Sequence, residues 1–313
     1  MGNTAFIDRI QLLIELFTGL IDYFREKRME IGYFVSTMSL FIASLNSGSN
    51  GNCYYIGNEH EAVLVDAGIS CRETERRMKR LGLSMQKVKA VFISHEHSDH
   101  ISGITVLSKK YNLPVYITPA TLQSSRLSLQ HHLVASFKAY EPVAIGNISV
   151  SAFPKFHDAA HAHSFIITHK DVTVGVFTDI GMACKHLTEH FAKCHAAFLE
   201  TNYDDEMLEN GRYPFHLKRR IRGGLGHLSN TQALEVFTTH RPAFMSHLLL
   251  SHLSKDNNSP ELVHELFRRH ADGTEIIVAS RFVETGVYHI NSSAIPALKP
   301  VSAPVSQMQF SLF

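Results

Sequence analysis

The chain has 313 residues, of which 44% are hydrophobic, and it carries 30 lysines and arginines against 29 aspartates and glutamates. A formal net charge of +1 excludes a global attraction to polyanions, so any contact with nucleic acid must rest on a local basic patch. Four cysteines without a Cys-x-x-Cys pair exclude a disulfide framework and a cysteine zinc site, and they indicate a reduced, cytoplasmic protein.

The first 37 residues form an extension of their own. Acidic residues at positions 8, 15 and 22 interrupt its apolar pattern, which argues against a transmembrane span or a signal peptide. The extension is interpreted as an interfacial or partner-binding helix, or else as an accessory segment or an incorrectly assigned start codon. The helix is predicted from apolar residues at helical spacing, namely Phe6, Ile7, Ile10, Leu13, Ile14, Phe17, Leu20, Ile21 and Phe24.

Residues 38–290 are predicted to form one large domain, since folds of two sheets reach about 250 residues as a single unit. It begins with strands over 40–45 and 54–56, which form a hairpin. The connecting residues 47–52 are either a turn chosen for its dihedral angles or a loop beside a functional site. A strand over 62–65 ends in Asp66, and a helix over 72–81 precedes a strand over 88–93.

A polar cluster follows that last apolar strand, and it contains His95, Glu96, His97, Asp99 and His100. Open α/β sheets place ligand sites just past the ends of their strands. Residues two apart point the same way in an extended segment, so His95 and His97 can share one ion while Asp99 and His100 turn to a second. The alternative is a solvated loop, but so many ligand groups after an apolar strand are costly without a cation.

The pattern His95-x-His97-x-Asp99-His100 resembles the HxHxDH signature of the metallo-β-lactamase superfamily. The resemblance implies an α/β fold of four layers, αββα, with two metal ions at one edge of the paired sheets. It also implies that Asp66 supports the histidine loop as a hydrogen-bond acceptor without binding a metal.

Elements beyond residue 100 supply the other ligands that the resemblance implies. A helix over 101–107, a strand over 114–117 and a helix near 122 come before a strand over 148–153, which ends near His157. His161 and His163 lie close by, but Asp158 and Ala159 match the family and favour His157. A hairpin of strands 164–168 and 172–177 leads to the superfamily's bridging ligand, and a strand over 243–250 leads to the last ligand.

The bridging ligand is Asp179, for which a helix cap is the alternative interpretation, and the last ligand is His252. Nitrogen and oxygen ligands without thiolate suit Zn²⁺, Mn²⁺ or Fe²⁺. Two such ions can hold a hydroxide between them and clamp both reacting oxygens of a phosphodiester, with Asp99 orienting the hydroxide. The implied ligand set is His95, His97 and His157 on one ion, Asp99, His100 and His252 on the other, and Asp179 between them.

Residues 200–230 restrict the range of candidate substrates. Together with residues 47–53 and 252–261 they are similar to the YycJ/WalJ branch of the superfamily, which implies DNA exonuclease activity and no large inserted domain. A dense basic cluster in this stretch suits phosphates, although a solvated helix face would have the same composition. The cluster consists of Lys218, Arg219, Arg220 and Arg222.

Three polar residues after the basic cluster are further candidates. His227 could protonate the leaving 3′ oxygen or hold the phosphate, and the alternative is a structural histidine. Ser229 and Asn230 begin a predicted helix whose N-terminus can receive a phosphate oxygen, but capping alone would explain Ser229.

The last 23 residues, 291–313, change in character. Prolines among small residues predict a mobile linker. A peptide bound at the end of such a linker would leave the enzyme free to reach DNA, and the alternative is a frayed apolar tail. The terminal peptide resembles the bacterial sliding-clamp-binding motif, with a departure at its second position, and reads Gln309-Phe310-Ser311-Leu312-Phe313.

The sequence therefore predicts a dinuclear metal-dependent phosphodiesterase, a DNA exonuclease of replication or repair that docks on the clamp. A hydrolase of small cyclic or nucleotide phosphodiesters, or of RNA, could use the same metal centre, and a thioesterase of the glyoxalase type ranks lower. A non-enzymatic clamp-binding scaffold is the alternative from another class. The complete ligand set disfavours it, because structural metal sites are normally closed and mononuclear.

Overall fold

The computed structural model of the chain describes Tyr23 and residues 39–292. The predicted linker and clamp peptide, and the amphipathic extension apart from Tyr23, therefore lie outside the described residues. The last described strand ends at Asn291, one residue beyond the predicted domain limit at 290.

Two sheets of seven strands make up the centre of the described region. The first sheet has the strand order β14-β1-β2-β3-β4-β5-β6 and the second has the order β13-β12-β11-β10-β9-β8-β7. The strands are β1 (Ser39–Asn46), β2 (Cys53–Gly57), β3 (Ala62–Val65), β4 (Val88–Phe92), β5 (Val115–Tyr116), β6 (Val134–Ala135), β7 (Val143–Ile145), β8 (Ile148–Pro154), β9 (His163–His169), β10 (Val172–Phe177), β11 (Ala196–Glu200), β12 (His247–Ser251), β13 (Glu275–Val278) and β14 (Tyr288–Asn291).

Helices cover the outer face of each sheet. Met78 and Leu107 pack beneath the first sheet, while Leu187, Val236 and Val263 pack beneath the second. The helices are α1 (Cys71–Arg80), α2 (Ser98–Ile101), α3 (Ile104–Tyr111), α4 (Pro119–Ser125), α5 (Lys185–Phe191), α6 (Asp205–Asn210), α7 (Phe215–Arg222), α8 (Asn230–His240) and α9 (Pro260–Arg268).

The side-chain alternation of β1 shows how the layers form. Leu40 and Ile42 enter the core between the two sheets, whereas Ala43 and Leu45 face the helices on the outer side. This period of two is that of a strand buried on both faces. The predicted αββα sandwich is confirmed, and residues 39–292 contain no large inserted domain.

The order of strand directions explains why the loops of functional interest share one edge. In the first sheet β3, β4, β5 and β6 run parallel, and in the second sheet β10, β11, β12 and β13 run parallel. Parallel strands bring their carboxyl ends to the same side, where ligand sites of open α/β sheets form. The predicted β9–β10 hairpin is also present, with Lys170 at its tip in the left-handed conformation at φ 51°.

Two predicted elements differ in the structure. The strand predicted over 243–250 is His247–Ser251, because Met245 N donates to Pro242 O at 3.0 Å in a turn that precedes the strand. The single helix predicted over 101–107 is two helices, α2 and α3, separated at Gly103. A Cβ at Gly103 would lie 1.9 Å from Ile69 O, so the chain needs glycine for this close approach.

Among the described residues, no helix combines the length and the hydrophobicity needed to cross a lipid bilayer.

Candidate metal centre

Five strands deliver polar side chains to one edge of the sandwich. Asp66 follows β3, His95 follows β4, His157 follows β8, Asp179 follows β10 and His252 follows β12. Asp66, Asp179 and His252 have φ values of 61°, 54° and 57°, a left-handed conformation that is unfavourable for residues other than glycine. Such backbone strain persists where the surrounding structure fixes a functional side chain.

Three histidines converge on the first position. His97 Nδ1 lies 3.1 Å from His95 Nε2 and 3.2 Å from His157 Nε2. The other ring nitrogens of the two buried histidines face oxygen atoms, with His95 Nδ1 2.9 Å from Ser94 Oγ and His157 Nδ1 3.1 Å from Gly226 O. The three converging nitrogens can therefore direct lone pairs at one point, as a cation requires.

A second position lies between Asp99, His100 and His252. Asp99 Oδ2 is 3.5 Å from Nε2 of each of these histidines. Asp179 lies between the two positions, since its Oδ2 is 3.1 Å from His100 Nε2 and its Oδ1 is 3.9 Å from His157 Nε2. Asp179 Oδ2 is buried and makes no hydrogen bond of regular geometry among the described residues. Its missing partner and the donor set fit a divalent cation.

Asp66 holds the histidine loop from behind. Its Oδ1 accepts from Ser94 N at 2.8 Å, and its Oδ2 lies 2.7 Å from His100 Nδ1. A carboxylate at Nδ1 favours the tautomer in which Nδ1 carries the proton and Nε2 is free to bind a metal. Asp66 therefore lies where it can orient His100 without itself binding a metal.

Glu200 plays the same part for two other histidines, His227 and His252. Its Oε1 lies 2.8 Å from His227 Nδ1 and 3.0 Å from His252 Nδ1. Its Oε2 accepts from Ile180 N at 2.6 Å and from Leu228 N at 3.2 Å. Nε2 of His252 is thereby left facing Asp99 and Asp179, while His227 stands at the rim of the centre.

Charge differs between the two positions. Burial lowers the pKa of His157 to about 4, against the opposite effect of Asp179, so this histidine is neutral at pH 7. Burial also lowers the pKa of His252, but Asp179, Asp99 and Glu200 together raise it to about 10. The carboxylates thus concentrate negative charge at the second position, where they favour a bound cation for the same reason that they favour the charged form of His252.

The basic cluster lies on α7 and is largely engaged with other groups. Arg220 Nε donates to Asp158 Oδ2 at 2.6 Å, and Arg222 Nη2 donates to Glu209 Oε2 at 2.5 Å. Lys218 Nζ donates to the Glu209 carbonyl oxygen. Arg219 is exposed on the same helix. The helix reaches the metal centre through Arg220, because Asp158 Oδ1 lies 3.5 Å from His157 Nε2.

Ser229 and Asn230 are buried and satisfied within the protein. Ser229 caps α8, where its side chain accepts from Gln232 N in a capping box. Asn230 and Asn258 exchange side-chain hydrogen bonds of 3.0 and 2.8 Å. The structure does not bring either side chain to a surface that a phosphate could reach, and capping accounts for Ser229.

The alternative capping role of Asp179 is not seen, since α5 begins only at Lys185.

The prediction missed two residues of the centre, Asn52 and Glu200. Asn52 Nδ2 lies 3.2 Å from Asp99 Oδ2 and 3.1 Å from His100 Nε2, so the loop of residues 47–52 does stand beside the site. Glu200 is the first residue of the stretch 200–230 that resembles the YycJ/WalJ branch, and no role is predicted for it from the sequence. The signal that could have found it is an acid at the end of a buried strand, the same arrangement as Asp66 and Asp179.

A family model described as a beta-lactamase superfamily domain matches residues 61–252, more than half of the chain. The chain belongs to the metallo-β-lactamase superfamily. Its superfamily relatives include exodeoxyribonuclease YycJ of Bacillus anthracis, which is 35% identical over 233 residues covering 72% of this chain and 86% of the relative. Exodeoxyribonuclease WalJ of Streptococcus pneumoniae is 32% identical over 225 residues, 70% of this chain and 84% of the relative. The predicted superfamily and its YycJ/WalJ branch are confirmed.

The metallo-β-lactamase-fold protein YhfI of Bacillus subtilis has a similar structure. The TM-score is 0.63 at 17% identity, and the match covers 80% of this chain and 99% of YhfI. This likeness shows the shared fold. The buried histidine and aspartate cluster of this superfamily member is a centre for binding divalent metal.

Proposed function

We propose that this protein is a DNA exonuclease acting in replication or repair. The enzyme class, a metal-dependent hydrolase of phosphodiester bonds, follows from its branch of the superfamily. The observation that carries the proposal is the position of Asp179 between two groups of three candidate ligands, in a chain that is 35% identical to an exodeoxyribonuclease over 72% of its length. This membership of an enzyme branch leaves the scaffold alternative without support.

Two divalent ions fit the centre, and Zn²⁺, Mn²⁺ or Fe²⁺ would suit its nitrogen and oxygen donors. Their chemistry when bound is that of a Lewis acid, which lowers the pKa of water and neutralises charge on a phosphodiester. The residues that would hold them are His95, His97 and His157 for one ion, Asp99, His100 and His252 for the other, and Asp179 for both.

The chain's own side chains would place the reacting groups. Asp99, next to both second-position histidines, orients the attacking water. Glu200 holds His227 at Nδ1, and the doubly protonated form of this partly exposed imidazole would give its Nε2 proton to the leaving 3′ oxygen. Arg219 is free to contact a phosphate, and Arg220 can do so by exchanging its Asp158 partner for the substrate.

We further propose that Gln309 to Phe313 bind the bacterial sliding clamp, and that the enzyme works in the cytoplasm. The match of the peptide to the clamp-binding pattern supports the first proposal, although the peptide lies outside the described residues. The four free thiols support the second. Deleting residues 309–313 is expected to weaken clamp binding while turnover on free DNA is unchanged, and unchanged clamp binding would refute the first proposal.

The proposed activity is tested with end-labelled single- and double-stranded DNA and RNA, after metal analysis and with Mn²⁺ or Zn²⁺ supplied. Progressive shortening of DNA from one end is expected, and Asp179→Ala should abolish it. Asp171→Ala, at the exposed tip of the β9–β10 hairpin, is the matched control and should retain full activity. Intact polymers together with hydrolysis of a small phosphodiester would overturn the exonuclease proposal in favour of a small-molecule substrate.

A further inference from the structure

A small pocket adjoins the metal centre at the same edge of the sandwich. Its cavity has a volume of about 110 Å³ and lies between the loops that follow β1, β12 and β13. Ser47 connects the two sites, because its Oγ accepts from His252 N at 2.7 Å while the residue also lines the pocket. The polar and aromatic lining includes Ser47, Ser254, Lys255, Ser280, Arg281 and Phe282.

The cations of this pocket have no carboxylate partner. Among the described residues, no Asp or Glu oxygen lies within 4.0 Å of Arg281 or Lys255, in contrast to the paired Arg220 and Arg222 of α7. Arg281 Nη1 is inaccessible to solvent and has no hydrogen-bond partner in the described region. A guanidinium charge that is partly buried and has no counterion is costly, and an anion in the adjoining pocket would neutralise it.

The loop that carries Arg281 is fixed in place. Asn50 Nδ2 donates to Arg281 O at 2.9 Å, and Arg77 Nη2 donates to Phe282 O at 3.0 Å. Gly48, at φ 142°, lets the β1–β2 loop approach so closely that an added Cβ would lie 3.2 Å from Arg281 Cβ. The pocket is therefore preorganised by the loop that also brings Asn52 to the metal centre.

We propose that this pocket binds a phosphate group of the DNA strand, namely the phosphate next to the scissile phosphodiester. The proposal rests on the proposed exonuclease function and adds a second point of contact to it. Arg281 and Lys255 provide the positive charge, and the hydroxyls of Ser254 and Ser280 provide further donors. The ring of Phe282, 71% exposed beside the pocket, offers a face on which the attached base can stack.

Activity on two substrates distinguishes the contribution of this pocket from that of the metal centre. DNA has a neighbouring phosphate, whereas bis(p-nitrophenyl) phosphate has none. Replacing both cations by Arg281→Gln and Lys255→Gln is expected to lower kcat/KM on DNA about tenfold or more, mainly through KM. Turnover of bis(p-nitrophenyl) phosphate should stay within about twofold, which also shows that the variant is folded.

The control is Lys193→Gln, which removes an exposed charge just before β11, at the opposite edge of the second sheet. It should match the wild type on both substrates. An equal loss on both substrates would assign Arg281 and Lys255 a structural role, and no loss on DNA would refute the pocket.

Direct binding distinguishes failure of the pocket from failure of the proposed function. In an Asp179→Ala background, anisotropy of a labelled single-stranded oligonucleotide reports affinity without cleavage. Removal of both cations is expected to weaken binding about tenfold. The slope of log K against log salt concentration should fall by about the amount of one phosphate contact or more. If the wild type cleaves no DNA but this difference persists, the exonuclease proposal fails and the pocket stands. Equal affinities with and without the two cations would refute the pocket.

Discussion

Glu200 holds His227 through a contact of 2.8 Å between Oε1 and Nδ1, and the same oxygen lies 3.0 Å from Nδ1 of His252. Burial raises the pKa of Glu200, but the opposite effect of His227 and His252 is larger and lowers this pKa to about 2. The group is therefore a carboxylate at pH 7. One buried anion thus orients a metal-facing histidine and a histidine at the rim of the centre.

Glu200→Gln is expected to lower kcat/KM and metal affinity about 10- to 100-fold. The glutamine amide has one acceptor oxygen, so it cannot accept from both histidines and from the Ile180 and Leu228 amides. Metal content after dialysis and initial rates on DNA measure the two effects. Glu265→Gln, on the solvent-facing side of α9, is the control. A Glu200→Gln enzyme with normal metal content and normal rate would contradict the positioning role.

Asp66→Asn is expected to weaken metal binding about 10- to 100-fold, with DNA hydrolysis reduced at limiting metal. An asparagine can present a donor where His100 Nδ1 or Ser94 now needs an acceptor, so the free Nε2 of His100 is no longer guaranteed. Metal titration followed by calorimetry measures the effect. Rates restored by excess metal would be consistent with a supporting role, whereas unaltered metal affinity would exclude it.

Arg77→Met is expected to lower the melting temperature by at least about 5 °C. The buried Arg77 guanidinium donates to Leu45 O at 2.7 Å and to Phe282 O at 3.0 Å, and both carbonyls would lose a partner. Arg76→Met is the matched control, because Arg76 pairs with the same Glu73 but is 61% exposed. Thermal unfolding of both variants should show a shift for Arg77 alone, and equal shifts would contradict the argument.

Glu73 should contribute stability that disappears in acid. Hydrogen bonds from Arg76 and Arg77 lower the pKa of Glu73 to about 2, below the value of about 4.3 in an unfolded chain. A lowered pKa stabilises the fold fully above the unfolded value, and the contribution is lost as the pH falls from about 4.3 towards 2.

The measurement for this prediction is urea unfolding of the wild type and of Glu73→Gln at several pH values. The wild type should be more stable by about 1 kcal/mol at pH 7, with allowance for solvent screening, and the difference should shrink between pH 4 and pH 2. A difference that does not change with pH would show that the carboxylate charge is not its source.

The sequence by itself determined the layers and the place of the centre. Apolar runs predicted most strands, and an acid or histidine within three residues of a strand end, read with the superfamily pattern, indicated Asp66, His157, Asp179 and His252. These are local signals, because a strand end and the residue after it are adjacent in the chain. The period of each element predicted strands and helices, whereas the arrangement of two sheets with helices outside was implied by the resemblance of the His95 to His100 pattern to the superfamily signature.

Only the tertiary structure decided which side chains meet. The two contacts of Glu200, the placement of Asn52 beside His100, and the pairing of Arg220 with Asp158 join residues distant in sequence. The same folding left Arg281 Nη1 without a hydrogen-bond partner among the described residues, in a pocket next to His252. Spacing along the chain cannot reveal whether a charge is neutralised, because that depends on which loops the two sheets bring to a common edge.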